Sequence, residues 1–194
     1  MRQSFQLLLT GESVRNNPIP KNSATEIVLL PSWRVPVTST IALWVWFVCA
    51  AIATDFTGKI VSVTDGNTIT VLRNGRGEKI RLNGIDCPEK AQAYGHKAKE
   101  AASALVFSKN VTIATHGLDK YGRTIGDVVL PDGTNVNHRL VQDGMCWWYR
   151  KYAPGDTTLA AFEAEARAVK RGLWADPNPI PPWEWRRTRS KERS

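Results

Sequence analysis

Between Gly58 and Ile85 the chain alternates short β-prone runs with two-residue turn signals, and that spacing restricts the fold more than any other feature. Gly58–Thr64 alternates apolar and polar residues, Asp65-Gly66 supplies a hairpin turn, and Asn67–Leu72 continues as a second run. Asn74-Gly75 is another turn signal, followed by a third run, Lys79–Ile85. Three strands delivered within about 30 residues form a meander, as in small barrels built of short strands.

The residues that follow predict what closes and covers that meander. Tyr94, Ala98, Ala101, Ala102, Leu105 and Val106 fall on one helical face, so Tyr94–Phe107 is expected to be a helix packed on the sheet. Val111–Thr115 and Thr124–Leu130 read as strands flanking a turn at Lys120-Tyr121-Gly122-Arg123, and Val136–Gln142 as a short helix closed by Gly144. Asp156 is placed to cap a last helix with apolar positions at Leu159, Phe162, Ala166, Val169 and Leu173. The expected fold is mainly β with helices (α+β): a five-stranded OB-type barrel with about three packed helices.

The ends differ in character from this core. Ile41–Ala53 is thirteen residues without a charge, ending in Ala51-Ile52-Ala53, which predicts a signal-peptide core with an Ala-x-Ala cleavage site. The run falls short of the roughly 20 apolar residues of a membrane span, so export is expected, with an uncleaved anchor as the alternative. Residues 1–33 are polar and dotted with proline, too long for a usual n-region, which raises a translation start downstream of Met1. The division is therefore 1–53 as N-terminal extension and signal, 54–175 as the folded domain, and 176–194 as a basic, proline-rich tail. Arg186–Ser194 is expected to lack fixed structure.

Charge and cysteine usage narrow the partners. The formal charge of +8 favours a polyanion such as nucleic acid or anionic lipid. Losing residues 1–53 removes four basic and two acidic residues, so the remainder stays basic. Three cysteines without a Cys-x-x-Cys pair, and three scattered histidines, argue against zinc. Export would permit a disulfide between Cys87 and Cys146, and two buried thiols are an equal alternative.

The chemically suggestive segment is Arg81-Leu-Asn-Gly-Ile-Asp-Cys-Pro-Glu89, which ends the third run with a guanidinium and then offers Asp86 and Glu89; a second guanidinium follows at Arg123. Taken singly, each is most simply a solvated turn or strand charge. Fixed guanidinium donors and a hard cation are nonetheless what a phosphodiester needs as charge builds on its oxygens. Arginine suits that task because its planar fork grips two oxygens and stays charged.

The order Asp65-Gly66-Asn67-Thr68, Arg81 to Glu89, Asp119 to Arg123 and the closing helix resembles the staphylococcal nuclease (thermonuclease) family over about residues 56–175. The resemblance implies a calcium-dependent phosphodiesterase that hydrolyses DNA and RNA and leaves 3′-phosphate ends, acting as a monomer. Carried over by motif, Arg81 and Arg123 would contact the scissile phosphate and Glu89 would act on the attacking water. Calcium would be held by Asp86, the backbone carbonyl of Cys87, and Asn67. Lys120, Tyr121 and Tyr152 would border the nucleotide. Asn67 departs from the family pattern, which has an aspartate there. A neutral amide ligand predicts a raised calcium requirement.

Trp147 and Trp148 are expected to pack inside rather than bind single strands. Arg150 stands where the resemblance leads one to expect a tyrosine, and its role is open at this point. The alternative function is an OB-type module that holds single-stranded nucleic acid without cutting it, against which Arg81, Glu89 and Arg123 together argue.

Overall fold

The computed structural model describes residues 55–192; the apolar segment 41–53 and the signal or anchor reading attached to it lie outside the described residues. Five strands close into one barrel: β1 (Phe56–Asp65), β2 (Thr68–Arg73), β3 (Arg76–Leu82), β5 (Asn110–Leu118) and β6 (Thr124–Val129), hydrogen-bonded in the order β1-β2-β3-β6-β5. The β3–β6 pairing is parallel and the others antiparallel. This is the expected OB-type arrangement, with the meander running from β1 to β3.

The barrel fills with the inward residues of its strands, among them Ile60, Ile69, Val71, Ile80, Leu82, Ile113 and Val128, all 2% exposed or less. Simple alternation breaks in β1. Ile60 and Val63 are both buried, three residues apart, while Val61 lies outside, because register shifts between Ile60 and Ser62 and between Val63 and Asp65 re-phase the strand.

Three helices lie in the expected segments, α1 (Gly95–Val106), α2 (Val136–Gln142) and α3 (Thr157–Ala168), but α3 ends before the last two apolar positions expected on its face: Val169 is exposed, and Leu173 is buried on a separate 3-10 turn. The α3 cap is Asp156, whose carboxylate accepts from Leu159 N at 2.9 Å. Two short strands, β4 (Ile85–Asp86) and β7 (Trp147–Trp148), form a separate antiparallel pair beside the barrel. The third run of the sequence thus divides at Asn83-Gly84 into a barrel strand and a short rim strand.

Cys87 and Cys146 form a disulfide that fastens the end of β4 to the residue before β7. The Asp65-Gly66 turn packs on this bridge: a side chain at Gly66 would put its Cβ 2.7 Å from the Cβ of Cys87. Asn137, fully buried on α2, ties the rim to the barrel. It accepts from Val128 N and donates to the carbonyls of Asn83 and Gly126.

The C-terminal residues correct the sequence reading. After a 3-10 turn at Gly172–Ala175, residues Pro182–Lys191 form a fourth helix, α4, where a charged tail without fixed structure was expected. Pro182 occupies the first helical turn, where a missing N–H costs nothing because that donor has no partner within the helix. The helix carries few apolar residues, but Trp183 stacks on Tyr149 at 5.2 Å and meets Trp147 edge-on at 5.7 Å.

Candidate active site

The exit of β3 and the short β4 strand place a buried carboxylate among guanidinium groups. Asp86 is 1% exposed, and its Oδ1 accepts from Arg81 Nη2 at 2.7 Å. The same Arg81 nitrogen reaches the Ile85 carbonyl at 3.3 Å. Burial of a carboxylate is tolerated only when it is paired and hydrogen-bonded. Arg81 supplies half of that pairing.

The other half comes from α4. Arg186 Nη2 donates to Asp86 Oδ2 at 2.7 Å, and Nη1 donates to Glu89 Oε1 at 2.7 Å. Burial pulls the Arg186 guanidinium pKa down, but its hydrogen bonds to Asp86 and Glu89, together with their charges, outweigh this and hold it above the ordinary value. Nothing local to the segment Asp176–Arg189 signals this role; only the fold brings Arg186 across 100 residues of chain to Asp86.

Glu89 sits in a tight turn between β4 and α1. Its N–H donates to Gln92 Oε1 at 3.1 Å, while Gln92 Nε2 donates to the carbonyl of Ile180 at 2.6 Å. Gln92 therefore couples the Glu89 turn to the segment leading into α4, a role sequence reasoning missed. Gly95 is required where α1 begins, because a Cβ there would collide with the Glu89 carbonyl.

Asn67 is 3% exposed and presents its amide nitrogen to Asp86 Oδ1 at 3.3 Å, so the NH2 and not the carbonyl oxygen faces the acid. Thr68, opposite Arg81 in the β2–β3 ladder, has a buried hydroxyl with no hydrogen-bond partner. Among the described residues no three His, Cys, Asp or Glu side chains converge to hold a metal. The oxygen atoms that would serve a cation are the Asp86 carboxylate, both of whose oxygens here accept from guanidinium groups, the Cys87 carbonyl, the Asn67 amide oxygen once the amide turns over, and the unpaired Thr68 hydroxyl. All are hard oxygen atoms, and they fit calcium rather than a soft metal.

Arg123 precedes β6, whose first residue, Thr124, pairs with Ile80, one residue before Arg81. Its Nε donates to Asp119 Oδ2 at 2.7 Å and its N–H to Asp119 Oδ1 at 2.9 Å. Partial burial pushes the Asp119 carboxyl up, but the hydrogen bonds from Arg123 and Tyr121 win and hold it below the usual carboxylate value. The Arg123 guanidinium also lies over the Tyr121 ring at 5.5 Å, and among the described residues its two terminal nitrogens have no hydrogen-bond partner, so they can meet an anion.

Lys120, Tyr121 and Tyr152 come together on the surface. Lys120 Nζ lies 4.9 Å from the Tyr121 ring centre, and the two tyrosines are 72% and 64% exposed. A hydrogen bond to Tyr121, with smaller contributions from Tyr152 and Asp119, raises the Lys120 pKa. Trp147 is buried as expected, edge-on to Trp174 at 4.3 Å, while Trp148 is half-buried. Arg150, whose role was open, pairs with buried Glu163 at 3.1 Å and stacks on Trp148.

A closed five-stranded barrel with a cluster of arginines and carboxylates at the exit of its third strand defines an OB-fold domain with a polar centre on its rim. The Staphylococcal nuclease homologue family matches residues 79–176, and the chain belongs to that family. It is 45% identical over 132 residues to an "Uncharacterized endonuclease" of Escherichia coli O157:H7, covering 68% of this chain and 86% of that protein. A "Micrococcal nuclease" of Shigella flexneri is 42% identical over 142 residues, covering 69% and 82%. "Protein ParB" of Escherichia coli is 37% identical over 161 residues, covering 78% and 91%. Asn67 and Arg186 both fall outside the segment that defines the family match.

Proposed function

We propose that the chain is a calcium-dependent endonuclease that hydrolyses phosphodiester bonds of DNA and RNA with low sequence specificity and leaves 3′-phosphate ends. The observation that carries this reading is the placement of Arg81, Asp86 and Glu89 together at the barrel rim, in a chain whose relatives bear nuclease names. Glu89 is half-exposed, so a water can reach its carboxylate and be oriented for attack. Arg81 and Arg123 would bind the equatorial phosphate oxygens and stabilise their growing charge; loss of one such donor typically costs about 10²–10³ in rate. Asp86, the Cys87 carbonyl, Asn67 and the Thr68 hydroxyl would hold the calcium, which supplies a further fixed positive charge at the phosphate.

Lys120, Tyr121 and Tyr152 would position the nucleotide, the lysine on a phosphate and the exposed rings on a base. Low specificity follows from contacts made to the backbone, which carry little base information. The Cys87–Cys146 bridge supports export, since disulfides persist in oxidising compartments. Residues 1–53 would then act as a cleaved signal or as a membrane anchor, with the nuclease domain outside.

Plasmid nicking tests the reading. Cleavage is expected with calcium, is lost with a chelator and falls steeply, to a residual rate, with Glu89→Ala. Intact plasmid bound tightly under all three conditions would instead make the chain a nucleic-acid-binding module.

A further inference from the structure

We propose that Arg186 is a positioning residue for Glu89 and that the C-terminal segment 180–186 is part of the active site. The inference rests on the nuclease reading above and adds to it a residue outside the family match, which ends at residue 176.

Three observations carry it. First, Arg186 is the one side-chain partner of the Glu89 carboxylate among the described residues, at 2.7 Å. Glu89 lies in a turn, so without that contact its rotamers are free, and a base that must aim a water cannot tolerate such freedom. Second, the same guanidinium binds Asp86 at 2.7 Å and so sits between two carboxylates whose mutual repulsion it offsets. Third, the segment is fixed at both ends of the contact. Trp183 and Arg186 are three residues apart on α4 and share a face, so the helix that seats Trp183 against Tyr149 and Trp147 also aims Arg186 at the acids. At the entry, Gln92 ties the Ile180 carbonyl to the Glu89 turn.

These anchors separate positioning from two neighbouring roles. Both terminal nitrogens of Arg186 are occupied by carboxylates, which leaves no bidentate fork for a phosphate. A releasable plug would sit on a loosely held segment, whereas Pro182 is buried and Trp183 packs against the Trp147–Trp174 cluster.

The test uses the full chain with Arg186→Ala, Arg186→Lys and, as a control on the same helix, Arg189→Ala, whose guanidinium contacts Trp185. Cleavage of a defined oligonucleotide is expected to show kcat down about 10²-fold in Arg186→Ala with KM within a few-fold, as misplacement of a catalytic group typically does. Partial recovery is expected in Arg186→Lys and on adding millimolar guanidinium to Arg186→Ala, a rescue that a purely structural role would not give. In a Glu89→Ala background, Arg186→Ala should cost nothing further. Unchanged or increased turnover in Arg186→Ala overturns the positioning role, as does an equal loss in the Glu89→Ala background. If Arg186→Ala fails to fold, Arg186→Lys decides: wild-type turnover there without added guanidinium also overturns it. A wild-type chain that binds but does not cut overturns the nuclease reading itself, and with it this proposal.

Discussion

Asn67 turns its amide nitrogen toward Asp86 Oδ1 at 3.3 Å, a donor facing an acceptor inside a site almost closed to solvent. Asn67→Asp would replace that contact with two facing carboxylates, which repel each other unless a cation lies between them. The variant is expected to melt lower than wild type in chelator and to regain stability with calcium. Its half-saturation for calcium in the nicking assay should fall by roughly tenfold, since ligand charge tunes calcium affinity. Equal half-saturation in the two proteins would remove Asn67 from the calcium set.

The disulfide closes a loop spanning 59 residues between Cys87 and Cys146. Loop-closure entropy for that length puts the bridge at about 4 kcal/mol of stability. Denatured, unreduced protein lacking residues 1–53 should show no free thiol. Cys146→Ser should lower stability by about 3–4 kcal/mol in denaturant titration, and dithiothreitol should have no further effect on that variant.

Asp119 holds the turn that carries Arg123, and its folded-state pKa lies below the ordinary 3.8. A depressed carboxylate pKa contributes stability that is fully present above the unfolded value and is lost as pH falls through the folded one. Asp119→Asn keeps one acceptor but loses the charge paired with Arg123, at a cost of under about 1 kcal/mol for so exposed a turn. The difference between the two proteins should be constant at neutral pH and shrink only below the ordinary value of 3.8. A difference that fades between pH 7 and 5 would point to another group.

Much of this architecture was legible from local chemistry. Asp156 announced the start of α3, and Asp65-Gly66 and Asn74-Gly75 announced the turns that fold β1, β2 and β3 against one another. Each of these signals acts within a few residues of where it appears. Arg81 and Asp86 were also picked out locally, but for a phosphate and a calcium ion; that they pair with each other, five residues apart across one turn, is a finding of the structure. What could not be read is the contact between segments distant in sequence. α4 is polar and follows a run of prolines, so neither periodicity nor propensity marks it; it owes its docking to Trp183 against Tyr149 and Trp147. The reach of Arg186 to Glu89 follows from that docking, and neither it nor the pairing of β4 with β7 has a local signature.

Gly95 begins α1 directly against the Glu89 carbonyl, where a Cβ has no room. Alanine is the better helix former by about 1 kcal/mol, so a mid-helix view predicts that Gly95→Ala stabilises. Here the clash is with backbone, which yields less readily than a side chain, and overpacking of this kind typically costs about 1–3 kcal/mol. Gly95→Ala should therefore destabilise and, by shifting the Glu89 turn, lower kcat more than it changes KM. A stabilised variant with wild-type turnover would show that the turn absorbs the methyl group.

Tyr152 stands 64% exposed near Lys120. An exposed ring of this size has little to gain from the fold, and its edge contact with Tyr149 at 4.9 Å leaves its solvent-facing side open. Stacking of a base on such a ring is worth roughly 1–3 kcal/mol and is present in the ground state as well as the transition state. Binding that is equal in both states raises KM when removed and leaves kcat alone. Tyr152→Ala should therefore raise KM for single-stranded substrate by about 5- to 150-fold, the range set by that energy, while kcat stays within a few-fold. Tyr152→Phe should behave as wild type if the ring stacks, and as Tyr152→Ala if the hydroxyl is what binds. A fall in kcat with unchanged KM would move Tyr152 from substrate positioning to the chemical step.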